Sequence, residues 1–339
     1  MHIVYSIIKT NDQKSFSPIG INGEKVYTIV HQDIAAVVSN SSPLSFTSKE
    51  LILRNLASYH VVIEQIMKSY TTVPMKFGTM VKDEGEVKKI LKGAYPQIKD
   101  VLKAMEGKIE LDVAVLWSDM DSTLKEVGQE EKIKRFKEEI EKKKLSKEEF
   151  QQEKIKLGKM VKALLDKKKD KCGAEIVNVL KSESEAFCHH DLMDESMIMN
   201  TAFLIYKARE EAFTSKVSQL DKRYEGELNF RIVGPLPPYS FSTLEVRRAK
   251  FEEIDQAKKI LELGEEASIS EIKEAYRRLT RRFHPDKSTD PEAQKRFEEI
   301  NKAHKVLIDY CQSEKSSFME ADVKDFIGLK LFETSRIFK

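Results

Sequence analysis

The sequence has few cysteines and no long apolar run. Its three cysteines, Cys172, Cys188 and Cys311, are odd in number and widely spaced. This excludes the disulfide framework of a small secreted protein and indicates a reducing, cytoplasmic environment. No apolar stretch approaches the ~20 residues of a membrane-spanning helix, and residues 1–12 lack the basic segment that begins a signal peptide. We therefore predict a soluble cytoplasmic protein that does not enter a membrane.

The chain also lacks a charge excess of either sign. Its 339 residues include 58 lysines and arginines and 56 aspartates and glutamates, which gives a net charge of +2. A protein held on nucleic acid by bulk electrostatic attraction needs a larger basic excess, so this balance disfavours a nucleic-acid partner. The length is sufficient for two or three domains with separate cores.

Motifs for catalysis and for cofactor binding are missing as well. Residues 20–25 (GINGEK) do not have the glycine spacing of a phosphate-binding Walker loop, and no nucleophile elbow or dinucleotide-binding fingerprint occurs. Residues 188–191 (CHHD) are potential metal ligands, but no C-x-x-C or H-x-x-x-H spacing accompanies them. We interpret them as a polar loop and predict a protein that is not an enzyme and uses no metal or cofactor.

Residues 1–120 are predicted to form a first α+β domain. Runs of β-branched and aromatic residues indicate strands at 3–9, 26–38 and 109–117. Thr47 with Glu50 forms a capping-box pattern that predicts a helix over 48–68, and a second helix is predicted over 83–104. This order is typical of helices packed on one face of a small, mostly antiparallel sheet.

Residues 121–243 are predicted to form a helical arm and a second α+β unit. Apolar residues recur at helical spacing in the charged segment 124–171, and a capping box at Ser146 and Glu149 divides it into a helical hairpin. We interpret this arm as solvent-exposed; the alternative is a coiled-coil contact with a partner. The stretch GPLPPYSF ends the unit because its prolines cannot continue a helix or a central strand.

The most specific pattern lies in the last third of the sequence. Ser268 and Glu271 form a capping box at the start of a helix that ends near Phe283. One face of this helix is apolar, and the opposite face carries five cations: Lys273, Arg277, Arg278, Arg281 and Arg282. No aromatic residues lie between these cations on the exposed face, so the face is not typical of nucleic-acid binding.

A short loop containing His284, Pro285 and Asp286 joins this helix to another amphipathic helix. Asp290 and Pro291 have the residue types of an N-cap and a first helical position. Apolar residues then recur at spacings of three and four. The two facing apolar stripes predict an antiparallel hairpin with the loop at its tip.

Residues 254–310 resemble the J domain of DnaJ-type co-chaperones. The segments AKKILELG, EIKEAYRRLTRRFHPDK and KRFEEINKAHKVL correspond to its first three helices. In that family the loop tripeptide and the basic face bind a DnaK-type chaperone and stimulate its ATPase. The resemblance therefore implies a chaperone-binding site formed by His284, Pro285 and Asp286 with Lys273, Arg277, Arg278, Arg281 and Arg282.

Residues 1–242 are similar to the GvpL/GvpF family of gas-vesicle accessory proteins. The segments that carry this similarity are VPMKFGTMV at 73–81, IKLGKMV at 155–161 and RIVGPLPPYSF at 231–241. They follow the order and spacing of the family, with Lys76 in place of an arginine and Leu236 in place of a tryptophan. The residues alone indicate turns and packing anchors in these segments rather than a binding site.

The predicted architecture is two small α+β (ferredoxin-like) units with a helical-hairpin arm, followed by an all-α J domain. The domain ranges are 1–120, 121–243 and 250–312, with an apolar tail over 313–339. We predict that this tail docks on the body, and the alternative is that it binds a partner. The resemblances imply a role in gas vesicle assembly, in the cytoplasm and at the vesicle, with vesicle shell and accessory proteins and a DnaK-type chaperone as partners. The alternative is a general J-protein co-chaperone whose front region binds diverse unfolded clients.

Overall fold

The computed structural model describes residues 1–44, 48–143, 145–284, 291–311, 316–324, 326–331 and 337–338. The predicted N-cap Thr47 and the loop residues Pro285 and Asp286 lie outside this part. The chain divides into two units, described separately below. The first contains residues 1–62, 75–100 and 244–332, and the second contains residues 63–74, 101–243 and 333–339.

The helices and strands are numbered in chain order. The helices are α1 (Lys49–Met67), α2 (Glu84–Gly93), α3 (Tyr95–Met105), α4 (Met120–Gly128), α5 (Glu131–Lys142), α6 (Lys147–Leu180), α7 (Glu210–Arg223), α8 (Tyr239–Ser242), α9 (Phe251–Ile260), α10 (Ile269–Arg282), α11 (Pro291–Tyr310) and α12 (Glu320–Lys324). The strands are β1 (His2–Lys9), β2 (Val26–His31), β3 (Ile34–Asn40), β4 (Thr72–Pro74), β5 (Met80–Val81), β6 (Lys108–Trp117), β7 (Ala186–His189), β8 (Met197–Tyr206), β9 (Leu228–Leu236), β10 (Leu244–Arg248), β11 (Glu266–Ala267), β12 (Ser316–Ser317), β13 (Ile327–Leu331) and β14 (Ile337–Phe338). None of the helices in the described part of the chain combines the length and apolarity that a membrane span requires.

The first unit begins with an antiparallel sheet in which β1 pairs with β3 and, at its start, with β5. Both faces of β1 are buried, which explains its continuous apolar sequence. The strand-forming run predicted over 26–38 is a hairpin of β2 and β3. The polar pair Gln32 and Asp33 forms its turn, with Gln32 at a φ of 55°.

The helix predicted over 83–104 is also divided in two. Asp83 caps α2 by accepting a hydrogen bond from the backbone N–H of Glu86, as its residue type indicates. However, α2 ends at Gly93 and α3 begins at Tyr95. Pro96 explains this break, because it has no N–H to donate to the preceding turn and its ring crowds that turn.

The second unit contains a sheet of order β14-β7-β8-β6-β9, in which every pair of neighbours is antiparallel. Strand β6 corresponds to the segment 109–117, which the sequence placed with the first sheet. That placement was wrong, because β6 pairs with β8 and β9 in the second unit. These two strands follow about 80 residues or more later in the chain. Strand pairing over such distances leaves no local pattern in the sequence.

One face of the second sheet packs against α6 and α7. Alternate residues of β6, including Leu111, Val113 and Val115, point to this core, together with Phe203 and Phe213. The helical arm is present as α5 and α6, and Ser146 forms the predicted capping box at the start of α6. The helical hairpin is thereby confirmed, whereas its use as a coiled-coil contact stays a prediction.

The J-type helices of the first unit share one apolar core. It contains Ile254 of α9, Leu279 of α10 and Leu307 of α11. Phe318 and Val323 of the predicted tail are fully buried in the same core. The prediction that the tail docks on the body is therefore confirmed for its described residues.

Strands β10 and β13 form an antiparallel ribbon. In the sequence, β10 precedes these helices and β13 follows them. Arg248, the last residue of β10, is the register partner of Ile327, the first residue of β13. The ribbon is joined to α2 by an ion pair between Arg248 and Glu86, with an N–O distance of 2.8 Å. The segment 249–326 therefore begins directly after one strand of the ribbon and ends directly before the other.

Candidate partner-binding site

Helix α10 presents the five cations that the sequence placed on one face. Its start is fixed by a capping box, in which Ser268 Oγ accepts from the Glu271 N–H at 3.2 Å and Glu271 Oε2 accepts from the Ser268 N–H at 2.7 Å. Ile272, Ala275 and Leu279 are buried on the inner face. The side chains of Lys273, Arg277, Arg278, Arg281 and Arg282 are all exposed. The predicted basic surface is thus present.

The cations of this surface differ in their neighbours. Arg278 forms an exposed ion pair with Glu262, with an N–O distance of 3.1 Å, and the Arg282 guanidinium lies over the Phe283 ring at 5.3 Å. Within the described residues, Lys273, Arg277 and Arg281 form no ion pair. These three keep a positive field directed outward, which is the property that steers an acidic partner.

His284 follows α10 after one residue, Phe283, and is exposed. Its ring meets that of Phe297 on α11 edge to face, with a centroid distance of 5.7 Å. The contact holds the histidine at the end of the α10–α11 hairpin. Its predicted neighbours Pro285 and Asp286 lie outside the described residues, and the binding role of the tripeptide stays a prediction.

The inner side of the hairpin contains a polar contact that the sequence did not indicate. The Tyr276 hydroxyl donates a hydrogen bond to Asn301 Oδ1 at 2.8 Å, and the Tyr276 ring stacks on His304. Burial lowers the pKa of His304, and the positive charge of Lys273 lowers it further. The hairpin core therefore holds a histidine that resists protonation.

The ribbon of β10 and β13 is ion-paired to the end of α11. Asp309 Oδ2 lies 3.3 Å from Arg247 Nη1 and 3.3 Å from Lys330 Nζ. One carboxylate thereby contacts both strands of the ribbon. This arrangement orients α11, and with it the basic face of α10, relative to the ribbon of β10 and β13.

The segment VPMKFGTMV lines a groove of the first unit. Phe77 packs edge to face on Tyr59 at 5.3 Å, and the Tyr59 hydroxyl is 2.9 Å from the Tyr5 carbonyl oxygen. The groove has a volume of about 640 Å³ and its other wall is β10. Lys76 crosses it to Glu245 at 2.7 Å. Phe77 is thus a packing anchor, as the residues indicated.

The segment GPLPPYSF places a serine against a buried carboxyl group. Gly234 lies at a bulge between β9 and β6 with a φ of 141°. The chain then turns through α8, and Ser240 donates from its N–H (2.8 Å) and from Oγ (2.7 Å) to the two carboxyl oxygens of Glu110 on β6. The sequence did not predict this contact, because 130 residues separate the partners.

Residues 188–191 are only partly the polar loop that the sequence predicted. Cys188 and His189 belong to β7, where Cys188 is buried and His189 Nδ1 lies 2.9 Å from Thr201 Oγ1. His190 follows the strand, and its Nε2 is 3.2 Å from Ser240 Oγ. Of these four residues, His190 alone joins a potential metal-ligand cluster of the described part, with Glu110 and Asp112.

Two sequence families match the chain and together cover most of it. Residues 1–243 match the family described as "Gas vesicle synthesis protein GvpL/GvpF", and residues 256–315 match the family described as "DnaJ domain". The GvpF crystal structure from Anabaena superposes with a TM-score of 0.62 at 25% identity and covers 70% of this chain and 96% of that chain.

Individual relatives agree with this division. Gas vesicle protein F of a Nostoc species is 25% identical over 228 residues, which are 66% of this chain and 91% of the relative. Gas vesicle protein F1 of Halobacterium salinarum is 24% identical over 246 residues, which are 71% and 92% of the two chains. Chaperone protein DnaJ 1 of Aquifex aeolicus is 54% identical over 50 residues, but these are only 15% of this chain and 14% of the relative. The chain therefore belongs to the GvpL/GvpF family of gas vesicle synthesis proteins and carries a DnaJ domain at residues 256–315.

Proposed function

We propose that this protein takes part in gas vesicle assembly and recruits a DnaK-type chaperone to the vesicle components that it binds. The observation that supports the chaperone contact is the exposed His284 just after α10, the helix whose outward face carries Lys273, Arg277 and Arg281. The site proposed for this contact also includes Pro285, Asp286, Arg278 and Arg282. Binding there stimulates the ATPase of the chaperone.

Family membership over residues 1–243 supports the vesicle half of the proposal. A shell subunit that lines a gas-filled space exposes apolar surface before it assembles, and such a surface is prone to aggregate. A protein that binds these subunits and carries a J domain would bring chaperone activity to them. Its site of action is the cytoplasm and the growing vesicle.

The chaperone contact is tested with the full chain and a DnaK-type chaperone in a steady-state ATP hydrolysis assay. We expect the wild type to stimulate hydrolysis and His284→Gln to leave the rate near that of the chaperone alone. The control is His31→Gln, which makes the same change on β2, and it should stimulate like the wild type. Equal stimulation by His284→Gln would reject the proposed role of the loop.

The choice of client is tested by pull-down. The full chain is incubated with the vesicle shell protein and, separately, with an unrelated unfolded protein. Retention of the shell protein alone supports a vesicle-specific factor. Equal retention of both, with suppression of aggregation of the unrelated protein, would instead identify a general J-protein co-chaperone.

A further inference from the structure

Glu110, Asp112 and His190 form a polar cluster in the second unit, and neither family likeness assigns it a role. Glu110 and Asp112 are two residues apart on β6 and therefore point to the same face of the sheet. This face is opposite to the one that packs on α6 and α7. Glu110 is only 2% exposed, whereas Asp112 and His190 are partly exposed. The cluster is therefore buried at one end and accessible at the other.

Hydrogen bonds fix the cluster from its buried end. Ser240 donates to both oxygens of Glu110, which sets the plane of that carboxyl group. The same Ser240 Oγ lies 3.2 Å from His190 Nε2, so one hydroxyl contacts two members of the cluster. Asp112 Oδ1 is buried and has no hydrogen-bond partner in the described part of the chain. This oxygen is an acceptor without a donor.

The two carboxyl groups lie close together in a poorly solvated part of the second unit. Two ionised carboxylates repel each other there, because little water screens their charges. A cation bound between them removes this repulsion.

The ligand atoms are suited to a cation. One oxygen from each carboxyl group and one imidazole nitrogen all lie within 4.8 Å of one another. Two carboxylate oxygens and an imidazole are ligands used for zinc, and three protein ligands leave a fourth position for water. Ser240 then corresponds to the outer-shell partner that orients a ligating carboxylate.

We propose that Glu110, Asp112 and His190 bind a zinc ion, with Ser240 orienting Glu110. Binding requires both carboxyl groups to be ionised and the imidazole to be neutral, so the affinity should fall at acidic pH. The ion joins β6 to the segment after β7 and, through Ser240, to the turn of GPLPPYSF. Its role is to stabilise the second unit, and it does not depend on the chaperone contact.

Zinc binding is measured by isothermal titration of the full chain after dialysis against a chelator. We expect one equivalent to bind to the wild type. The double variant Asp112→Asn/His190→Gln should bind at least about 100-fold more weakly, since outer-shell changes alone cost about 10–100-fold in affinity. The control is His189→Gln, which removes the neighbouring histidine outside the cluster and should bind zinc like the wild type.

Folding of each variant is followed by the fluorescence of Trp117, the single tryptophan, which lies on β6. Zinc should raise the thermal midpoint of this signal for the wild type and for His189→Gln, but not for the double variant. Absence of zinc binding by the wild type would overturn the proposal. Equal binding by a folded double variant would overturn it as well, by placing the zinc elsewhere.

Discussion

The imidazole of His304 stacks on the phenol ring of Tyr276, with ring centroids 4.0 Å apart and planes inclined by 23°. The contact joins α11 to α10, the helix that carries the basic face. His304 Nε2 is buried and has no hydrogen-bond partner among the described residues. The neutral imidazole fits this position, and the imidazolium would leave a buried N–H without an acceptor.

This contact predicts that acid weakens the hairpin. Burial holds the pKa of His304 below 6.5, so the folded state takes up a proton less readily than the unfolded state. The contribution of the neutral ring is complete above pH 6.5 and is lost as the pH falls through the lowered pKa. Hydrogen exchange of α10 and α11 amides in the full chain, corrected for intrinsic rates, should show a smaller opening free energy at pH 5.5 than at pH 7.5.

The variant His304→Phe separates this effect from other titrations. Phenylalanine keeps a ring against Tyr276 but cannot bind a proton, so the difference in opening free energy between the two pH values should shrink. A pH difference as large as that of the wild type would show that His304 is not the responsible group.

The basic face of α10 predicts a salt-dependent chaperone contact. Replacing Arg277 and Arg281 with glutamate reverses two exposed charges that have no ion-pair partner in the described structure. Because exposed charges act mainly on association, we expect stimulation of the ATPase at low ionic strength to fall by roughly tenfold or more. The difference from the wild type should narrow as salt is added.

The matched control is the same charge change on an exposed part of α6, with Lys159 and Lys167 replaced by glutamate. It alters the net charge equally but leaves the proposed site intact, so stimulation should stay near that of the wild type. Equal losses in both variants would mean that net charge, rather than the α10 surface, controls the encounter.

Gly234 predicts a strong steric constraint in the motif GPLPPYSF. A Cβ atom at this position would lie 2.6 Å from Leu111 Cδ2 and 2.9 Å from the Glu110 carbonyl oxygen, at a φ of 141°. Gly234→Ala should therefore lower the free energy of unfolding by about 2–4 kcal/mol. Urea unfolding followed by Trp117 fluorescence measures the change in the sheet that contains Gly234.

Gly158→Ala provides the opposite control within the same unit. Gly158 lies inside α6, and apart from its chain neighbours and the backbone of the helix itself, no atom of the described residues lies within 4 Å of the Cβ that would be added. Alanine should stabilise the helix by about 0.5–1 kcal/mol. If both substitutions had the same effect, the close approach at Gly234 would not be the cause of the loss.

The ion pairs of Asp309 predict that its substitution loosens the ribbon of β10 and β13 without destabilising the rest of the chain. Asp309→Asn removes the charge that contacts both Arg247 and Lys330. The three groups are partly exposed, so the cost should be under about 1 kcal/mol. Hydrogen exchange should become faster in β10 and β13, while exchange in the β6 sheet stays unchanged. Faster exchange throughout the chain would contradict a local role.

Local signals in the sequence predicted the helices more reliably than the strand pairing. The capping boxes at Ser146 and Ser268 fixed the starts of α6 and α10, because such a box needs residues only three positions apart. Pro96 could have shown the break between α2 and α3 for the same reason. Local signals could not predict which sheet contains β6, because its pairing partners β8 and β9 lie far along the chain.

The α10 surface with His284 and the cluster around Glu110 differ in the same way, because local sequence signals group the residues of the first site but not those of the second. The basic face and His284 occupy one helix and its end, so helical periodicity was sufficient to group them. The cluster of Glu110, Asp112 and His190 depends on β6, the segment after β7 and the turn at Ser240. Glu110 reads as a solvent-facing residue of an alternating strand, and only the packing of α8 against that face buries it.

The register of Arg248 with Ile327 makes the J segment a removable cassette. Register partners on antiparallel strands lie about 5 Å apart, so a short turn could join them in place of residues 249–326. Such a chain would keep β13 and β14, which a cut after Phe241 would discard along with the J helices. The effect of losing the chaperone contact could then be measured on a chain that keeps every strand outside residues 249–326.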